Sequence, residues 1–258
     1  MMEYKAAFFD VDSTLTAGIN QPVVESAVDA IRQLRNKGIK IVIASGRMPY
    51  GLENIKGKIQ ADFFNCANGQ FVCDNNMNVI DVAQVDRKLF DEVNQYCTEK
   101  DLGLFWKFVD GFYIYNQYQG QEMLEMSVSI VYYHRCLDDS ALPTSGALIC
   151  DREKMLQFSK VFSDRLDVVD GGYALYDLDN KGRSKKDGLI AICKYLNIST
   201  EQTIAFGDSD NDVKMLEAAG LSIAMGNGFD SVKQVADDVT DTAKNDGIIK
   251  ALKKFSII

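Results

Sequence analysis

The chain has a single histidine, His134, among 258 residues. A histidine cluster for metal binding is therefore excluded, and any Cys–His catalytic pair would have to use His134. Six cysteines are present (Cys66, Cys73, Cys97, Cys136, Cys150 and Cys193), but none shows C-x-x-C spacing, which removes the common metal-ligand patterns. Reduced thiols with structural roles are expected. No apolar run approaches the roughly 20 residues needed to cross a bilayer. Signal-peptide character is also missing, since Ala6-Ala7-Phe8-Phe9 runs straight into Asp10. A soluble, cytoplasmic protein with no membrane partner is the expectation. Positive charge is in deficit as well, 28 Lys and Arg against 37 Asp and Glu, for a net charge of -9. Nucleic acid is bound by clustered basic residues, so it is not an expected partner.

What is present suffices for a large buried core, because 47% of the residues are hydrophobic. The length suits one large domain or two modest ones. Tyr4 to Phe9 reads as a buried strand, Pro22 to Lys37 as a helix stopped by Gly38, and Ile39 to Ala44 and Asp62 to Cys66 as further strands. Strands this apolar, separated by helices, favour a parallel sheet covered on both faces. The pattern returns late in the chain: helix Lys185 to Leu196, strand Thr203 to Phe206, helix Asp210 to Ala219, strand Leu221 to Ala224, and a helical tail from Asn245. Between them lie aromatic, alternating runs such as Phe105-Trp106-Lys107-Phe108 and Gly111-Phe112-Tyr113-Ile114-Tyr115. These predict antiparallel strands, with helices near Arg87 to Lys100 and Arg152 to Asp164. The expected fold class is α/β: a doubly wound, mostly parallel core formed by 1–81 and 183–258, with an α+β domain inserted at 82–182.

Chemistry concentrates at strand ends, where open α/β sheets bind ligands. Asp10-Val11-Asp12-Ser13-Thr14-Leu15 follows the first strand. Two carboxylates one residue apart can divide labour, one attacking phosphorus and the other moving a proton. Turn and cap formation by Asp, Ser and Thr is the competing explanation. Gly207-Asp208-Ser209-Asp210-Asn211-Asp212 follows another strand and makes an acidic, hard-cation loop suited to magnesium. The opening spacing also fits a calcium loop, but Val213 stands where that loop has Gly and Ala219 where it has Glu. Calcium is rejected on those grounds. Ser45-Gly46-Arg47 and Gly182-Arg183-Ser184-Lys185 could cradle phosphate oxygens, although Ser or Lys at a helix start is commonly a cap.

Charge counting joins these pieces. Ionised Asp10, Asp208 and Asp212 carry three negative charges, and a phosphate monoester adds up to two. At ~4 Å and an effective dielectric constant of about 20, each like-charge contact costs on the order of 4 kcal/mol. One magnesium ion and Lys185 would return three positive charges at the transferring group.

In this order the motifs resemble the haloacid dehalogenase-like superfamily of phosphatases, and specifically the Cof-like group with a large cap inserted after the third strand. The resemblance covers both core segments; the cap corresponds mainly in size and position. It implies that Asp10 is the nucleophile and Asp12 the general acid/base, with Thr14, Ser45, Gly46 and Lys185 at phosphate-binding positions. Asn211 and Asn227, the latter in Met225-Gly226-Asn227-Gly228, correspond to positions that often line the phosphate site. Magnesium held by Asp10, the Asp12 carbonyl and Asp208, with Asp212 in support, is implied too. Two departures stand out: Ser13 replaces a common Gly, and Lys186 follows Lys185 where Gly is usual. Asn68-Gly69 resembles the turn before the cap linker, and reads equally as a plain hairpin turn.

The implied activity is hydrolysis of phosphate monoesters, sugar phosphates in particular, through an aspartyl-phosphate intermediate. The partner is then a small phosphorylated molecule, and the chain a monomer or weak homo-oligomer. The cap would select the substrate by closing over the site. Trp106, Phe108, Tyr113, Tyr115, Tyr132 and Arg135 are candidate substrate contacts, with a role in the cap's own core as the stronger alternative. Competing functions are a phosphosugar mutase using the same aspartates, a response-regulator receiver, and a non-enzymatic regulatory protein on the same fold. A receiver would be about half as long and needs no cap.

Overall fold

A computed structural model of the protein describes residues 3–19, 21–55, 57–116, 131–133, 140–170 and 174–258, with 131–133 described by backbone alone. His134, Arg135, Cys136 and the Tyr132 side chain lie outside the described residues. Contacts divide the chain into two compact units. The first contains Met1–Gly46, Leu52–Asp81 and Ser184–Ile258; the second contains Arg47–Gly51 and Val82–Arg183.

The first unit opens with β1 (Ala6–Phe9), α1 (Glu25–Asn36), β2 (Lys40–Ala44), β3 (Phe63–Cys66), β4 (Phe71–Asp74) and β5 (Val79–Val82). In the second come α2 (Arg87–Lys100), β6 (Gly103–Lys107), β7 (Phe112–Asn116), β8 (Val131–Tyr133), β9 (Ser145–Ile149), α3 (Arg152–Phe162), β10 (Leu166–Asp170) and β11 (Leu175–Asn180). The chain then returns to the first unit through α4 (Lys185–Leu196), β12 (Thr203–Gly207), α5 (Val213–Ala218), β13 (Leu221–Ala224), α6 (Asp230–Val235), β14 (Asp238–Val239) and α7 (Gly247–Lys254).

The first unit is a doubly wound α/β layer structure. Its eight-stranded sheet has the order β14-β13-β12-β1-β2-β3-β4-β5. Pairing is parallel from β14 through β3, and β4 joins antiparallel to β3. Every residue of β1, β12 and β13 is buried, which is why these strands read as continuous apolar runs rather than alternating ones. Helix α1 buries Ala27, Ala30, Ile31 and Leu34 along one face, and α4 buries Leu189, Ile192 and Cys193. Because β1 lies between β2 and β12, three neighbouring strands end side by side at a switch in strand order.

The second unit is α+β. Its six-stranded sheet, β10-β11-β9-β6-β7-β8, is antiparallel except for β7 with β8. Helices α2 and α3 start at Asp86 and Asp151, whose carboxylates accept from Leu89 N–H and Lys154 N–H. Both helices pack Phe90, Val93, Phe158 and Phe162 onto Leu104, Trp106, Leu148 and Leu178. Trp106 and Phe108 are thus core residues, and Tyr113 and Tyr115 pack against that core. The segment Arg47–Gly51 belongs to this unit: Met48 is buried, its sulfur accepts from the Thr144 hydroxyl at 3.8 Å, and Tyr50 packs on the cluster of Phe105, Phe112, Ile114, Ala147 and Ile149.

Several elements differ from expectation. Helix α1 starts at Glu25 and not Pro22, because Val23 pairs with Thr16 and Val24 N–H donates to the Leu15 carbonyl. The helix expected from Asp210 is a 3-10 turn, Asp210–Asp212, followed by α5, since the Asp212 carboxylate folds back onto the amides of Asp208 and Ser209. The tail helix begins at Gly247, after Asp246 takes a left-handed φ of 62°. Helix α3 ends at Phe162, two residues early. Strands β4 and β5 extend the sheet beyond the expected three strands of the opening segment. Cys66, Cys73, Cys97, Cys150 and Cys193 are free and buried. Among the described residues no helix is long and apolar enough to cross a membrane.

Candidate active site

Strand register brings the carboxylates together. Phe9 of β1 pairs with Phe206 of β12, and Asp10 N–H donates to the Phe206 carbonyl at 3.1 Å. Asp10 therefore leaves β1 beside Asp208, which follows β12. Asp10, Asp208 and Asp212 each offer an oxygen within 4.8 Å of the others, and all three are buried. The Lys185 ammonium lies among them with no exposure. It donates to Asp10 Oδ1 at 2.7 Å, Asp212 Oδ1 at 2.6 Å and Asn211 Oδ1 at 3.4 Å. Lys186 is exposed, so Lys185 is the inward lysine of the pair.

Local sequence explains how each side chain is held. Asp212 Oδ2 accepts from the backbone amides of Asp208 at 3.0 Å and Ser209 at 3.2 Å, leaving Oδ1 for the lysine. That fold-back passes over Gly207, where a Cβ would lie 2.5 Å from the Asp212 Cβ. The first turn of α4 is fixed by Ser184, whose amide and hydroxyl donate to Asp187 Oδ2 at 2.8 and 3.0 Å. Gly69, at a φ of +90°, packs so tightly on the Ser184 carbonyl that no side chain would fit.

The loop after β1 turns on Ser13, which adopts a left-handed conformation (φ 67°, ψ 3°), the geometry that favours glycine. Thr14 Oγ1 donates to Asp208 Oδ1 at 3.1 Å. Asn227 Nδ2 donates to the Ser13 carbonyl at 2.9 Å, while its Oδ1 accepts from Ala243 N–H at 3.2 Å. Asn211 Oδ1 also accepts from Ser209 Oγ at 2.8 Å, and its amide donates to Asn68 Oδ1 at 3.1 Å. Thr14 thus reaches a carboxylate and Asn211 the lysine among them, whereas Asn227 ties the Ser13 turn to Ala243. Asp12 is half-buried on the same loop. Ser45 is buried at the end of β2, with its amide donating to the Asn65 carbonyl at 2.9 Å and its own carbonyl accepting from Asn68 N–H at 3.1 Å; Gly46 follows it. The Asn68-Gly69 turn connects antiparallel β3 and β4, and its side chain also reaches Asn211.

Sequence patterns missed Asn65. Its Nδ2 donates to the Lys185 carbonyl at 2.8 Å across 120 residues of chain. The one available signal was Gly188 inside an otherwise regular helix, which marks a close approach.

Electrostatics follow from burial. Burial pushes the Asp10 carboxyl well above its ordinary range; Lys185 opposes this, and Asp212 and Asp208 reinforce it. Burial likewise raises Asp208 to about 6, helped by Asp212 and opposed by Lys185 and the Thr14 hydroxyl. Burial alone would depress the Lys185 ammonium, but Asp10 and Asp212 outweigh it and hold the lysine above its usual value. Three acids against one lysine leave a formal charge of -2 when all are ionised. An all-oxygen, buried, under-neutralised donor set fits a hard divalent cation such as magnesium.

A family model described as haloacid dehalogenase-like hydrolase matches residues 7–252. The chain belongs to this family. Curated proteins resemble it over nearly the whole length of this chain. The phosphoglycolate phosphatase of Methanopyrus kandleri is 28% identical over 252 residues, which is 95% of this chain and 94% of that one. A Streptococcus pyogenes protein named as a bifunctional phosphatase/peptidyl-prolyl cis-trans isomerase is 28% identical over 98% of this chain, and the match spans only 54% of that protein's length. Among solved structures, a phosphatase of the haloalkanoate (HAD) superfamily from Bacteroides thetaiotaomicron superposes with a TM-score of 0.88 at 27% identity, covering 100% of this chain and 97% of that one. This chain is accordingly a hydrolase of the haloacid dehalogenase-like family, with phosphatases among its relatives.

Proposed function

We propose that the protein is a magnesium-dependent phosphatase that hydrolyses small phosphate monoesters, sugar phosphates in particular, with Asp10 as the nucleophile. The observation that carries this reading is the buried Lys185 ammonium bonded to both Asp10 and Asp212 where β1 and β12 end. A lysine there holds one Asp10 oxygen and leaves the other for phosphorus. Family membership and phosphatase relatives support the same chemistry.

In the first step an Asp10 oxygen bonds to phosphorus while the bond to the leaving oxygen breaks. Asp12 gives its proton to that oxygen, and the alcohol departs. Asp12, now ionised, takes a proton from a water molecule, whose oxygen bonds to phosphorus as the bond to Asp10 breaks. Inorganic phosphate leaves, and Asp10 and Asp12 return to their starting states. Lys185 holds the nucleophile and offsets negative charge through both steps. Ser45, Gly46 and Thr14 are assigned to the phosphoryl oxygens, with Asn211 and Asn227 holding the surrounding loops. Asp10 and Asp208 would hold magnesium with the Asp12 carbonyl, and Asp212 would support them through Lys185 and the Asp208 amide. When bound, the ion supplies positive charge and Lewis acidity at the phosphoryl group.

The test is a panel of esters (hexose and pentose phosphates, phosphoglycolate and p-nitrophenyl phosphate) assayed for phosphate release with magnesium and with chelator. Magnesium-dependent release that disappears in Asp10→Asn, with the circular-dichroism spectrum unchanged, is expected. Full activity of Asp10→Asn, or no release from any ester, would refute the reading. An isomerised sugar phosphate in place of free phosphate would point to a mutase.

A further inference from the structure

We propose that Asn65 is a positioning residue that sets Lys185, and with it Asp10, for the reaction; this rests on the phosphatase reading above. Asn65 is completely buried on β3, in the interior of the first unit. Its Nδ2 donates to the Lys185 backbone carbonyl at 2.8 Å. Its own carbonyl accepts from Ser45 N–H at 2.9 Å. One residue therefore ties the end of β2, where Ser45 is, to the first turn of α4, where Lys185 is.

The amide is an expensive choice for this position. Asn65 Oδ1 is buried with no hydrogen-bond partner. An orphaned buried acceptor is destabilising relative to a satisfied one. The oxygen instead presses on α4 at Gly188, where any Cβ would overlap the Asn65 amide. Turning the amide over would set its oxygen against the Lys185 carbonyl, oxygen to oxygen, so the orientation is fixed by that one donated bond. An apolar residue would fill the space without an orphan. What Asn65 adds is a directional bond to the turn that carries the ammonium.

The consequence is geometric. Lys185 reaches Asp10 and Asp212 at 2.7 and 2.6 Å from a helix start held by Asn65, Gly188 and the Ser184 cap. Freeing that turn lets the ammonium drift. A misplacement of about 1 Å, or loss of a residue orienting a reacting group, lowers rate about 10- to 100-fold.

The experiment compares wild type, Asn65→Ala, Lys185→Met and the double variant as full chains with magnesium and p-nitrophenyl phosphate, alongside urea unfolding of each. Expected is a loss in kcat of about 10-fold or more for Asn65→Ala with KM moved less than about threefold. In the Lys185→Met background, Asn65→Ala should change the remaining rate by less than about twofold, and the two shifts in urea midpoint should be less than additive. Unchanged kcat in a folded Asn65→Ala, or independent effects in rate and midpoint, would overturn the proposal. If Asn65→Ala does not fold, Gly188→Ala, which displaces the amide while keeping every polar atom of the site, takes its place with the same criteria. If wild type turns over no ester, the phosphatase reading fails by itself, and the urea cycle still decides whether Asn65 and Lys185 are coupled.

Discussion

Magnesium and protons should compete for the buried carboxylates, and the structure sets the size of the effect. Asp208 titrates at about 6 because it is buried beside Asp212. Lowering the pH from about 7 to about 5 raises its proton occupancy from about one tenth to about nine tenths. A cation that needs the ionised form then binds about 10-fold more weakly, or about 1.4 kcal/mol, from this group alone. Asp10, also raised by burial, shifts affinity in the same direction. The metal-free fold follows the opposite trend. A raised carboxyl stabilises the folded state below its unfolded value of about 4, and that contribution is lost as pH climbs through about 6, up to about 3 kcal/mol for Asp208. Calorimetric titration of the metal-stripped chain with magnesium at both pH values reads the first effect. Proton release at about pH 6, compared in buffers of different ionisation enthalpy, reads the exchange itself. Equal or tighter binding at the lower pH would refute the assignment of Asp208 and Asp10 as the ion's ligands.

Three further outcomes are expected. Lys185→Met leaves Asp10 and Asp212 without their cation and should cost about 3–5 kcal/mol at neutral pH by urea unfolding, and less as the pH falls and the Asp10 carboxyl, raised by burial, takes up its proton. Gly207→Ala forces a methyl to within 2.5 Å of the Asp212 Cβ; a loss of about 1–3 kcal/mol and reduced turnover should follow, measured by thermal unfolding and ester assay. Ser13→Gly relieves a left-handed φ of 67° and should raise stability by up to about 1 kcal/mol with activity retained, whereas a clear loss of stability would show that the Ser13 side chain contributes more than its backbone costs.

Legibility in the sequence followed the range of the interaction. Helices α2 and α4 lie where their apolar periodicity put them, and each ends at a residue, Asp101 or Asn197, that takes a left-handed conformation. Apolar runs at β1, β12 and β13 gave the parallel core, since burial on both faces leaves no alternation to misread. Asp10, Asp208 and Lys185 stood out because each follows a strand or opens a helix, so topology alone could gather them. The start of α1 was lost to the Thr16–Val23 bridge, a pairing that helix propensity does not anticipate. Asn65 was invisible because its partner is 120 residues away and an asparagine in an apolar run looks like a weak strand residue. The 3-10 turn at Asp210–Asp212 was masked for a related reason: the carboxylate that caps Asp208 is the same one that pairs with the lysine.

The allegiance of Arg47–Gly51 bears on how this chain could be dissected. Cutting out the stretch from Val82 to Arg183 and rejoining the flanks would look from the linear order like removal of a self-contained insert. Met48 and Tyr50 would remain behind, however, stripped of Thr144 and of the Phe105–Ile149 cluster that now shields them. The trimmed protein would carry a greasy scar a few residues after Ser45, so a soluble minimal version would need polar replacements at both positions.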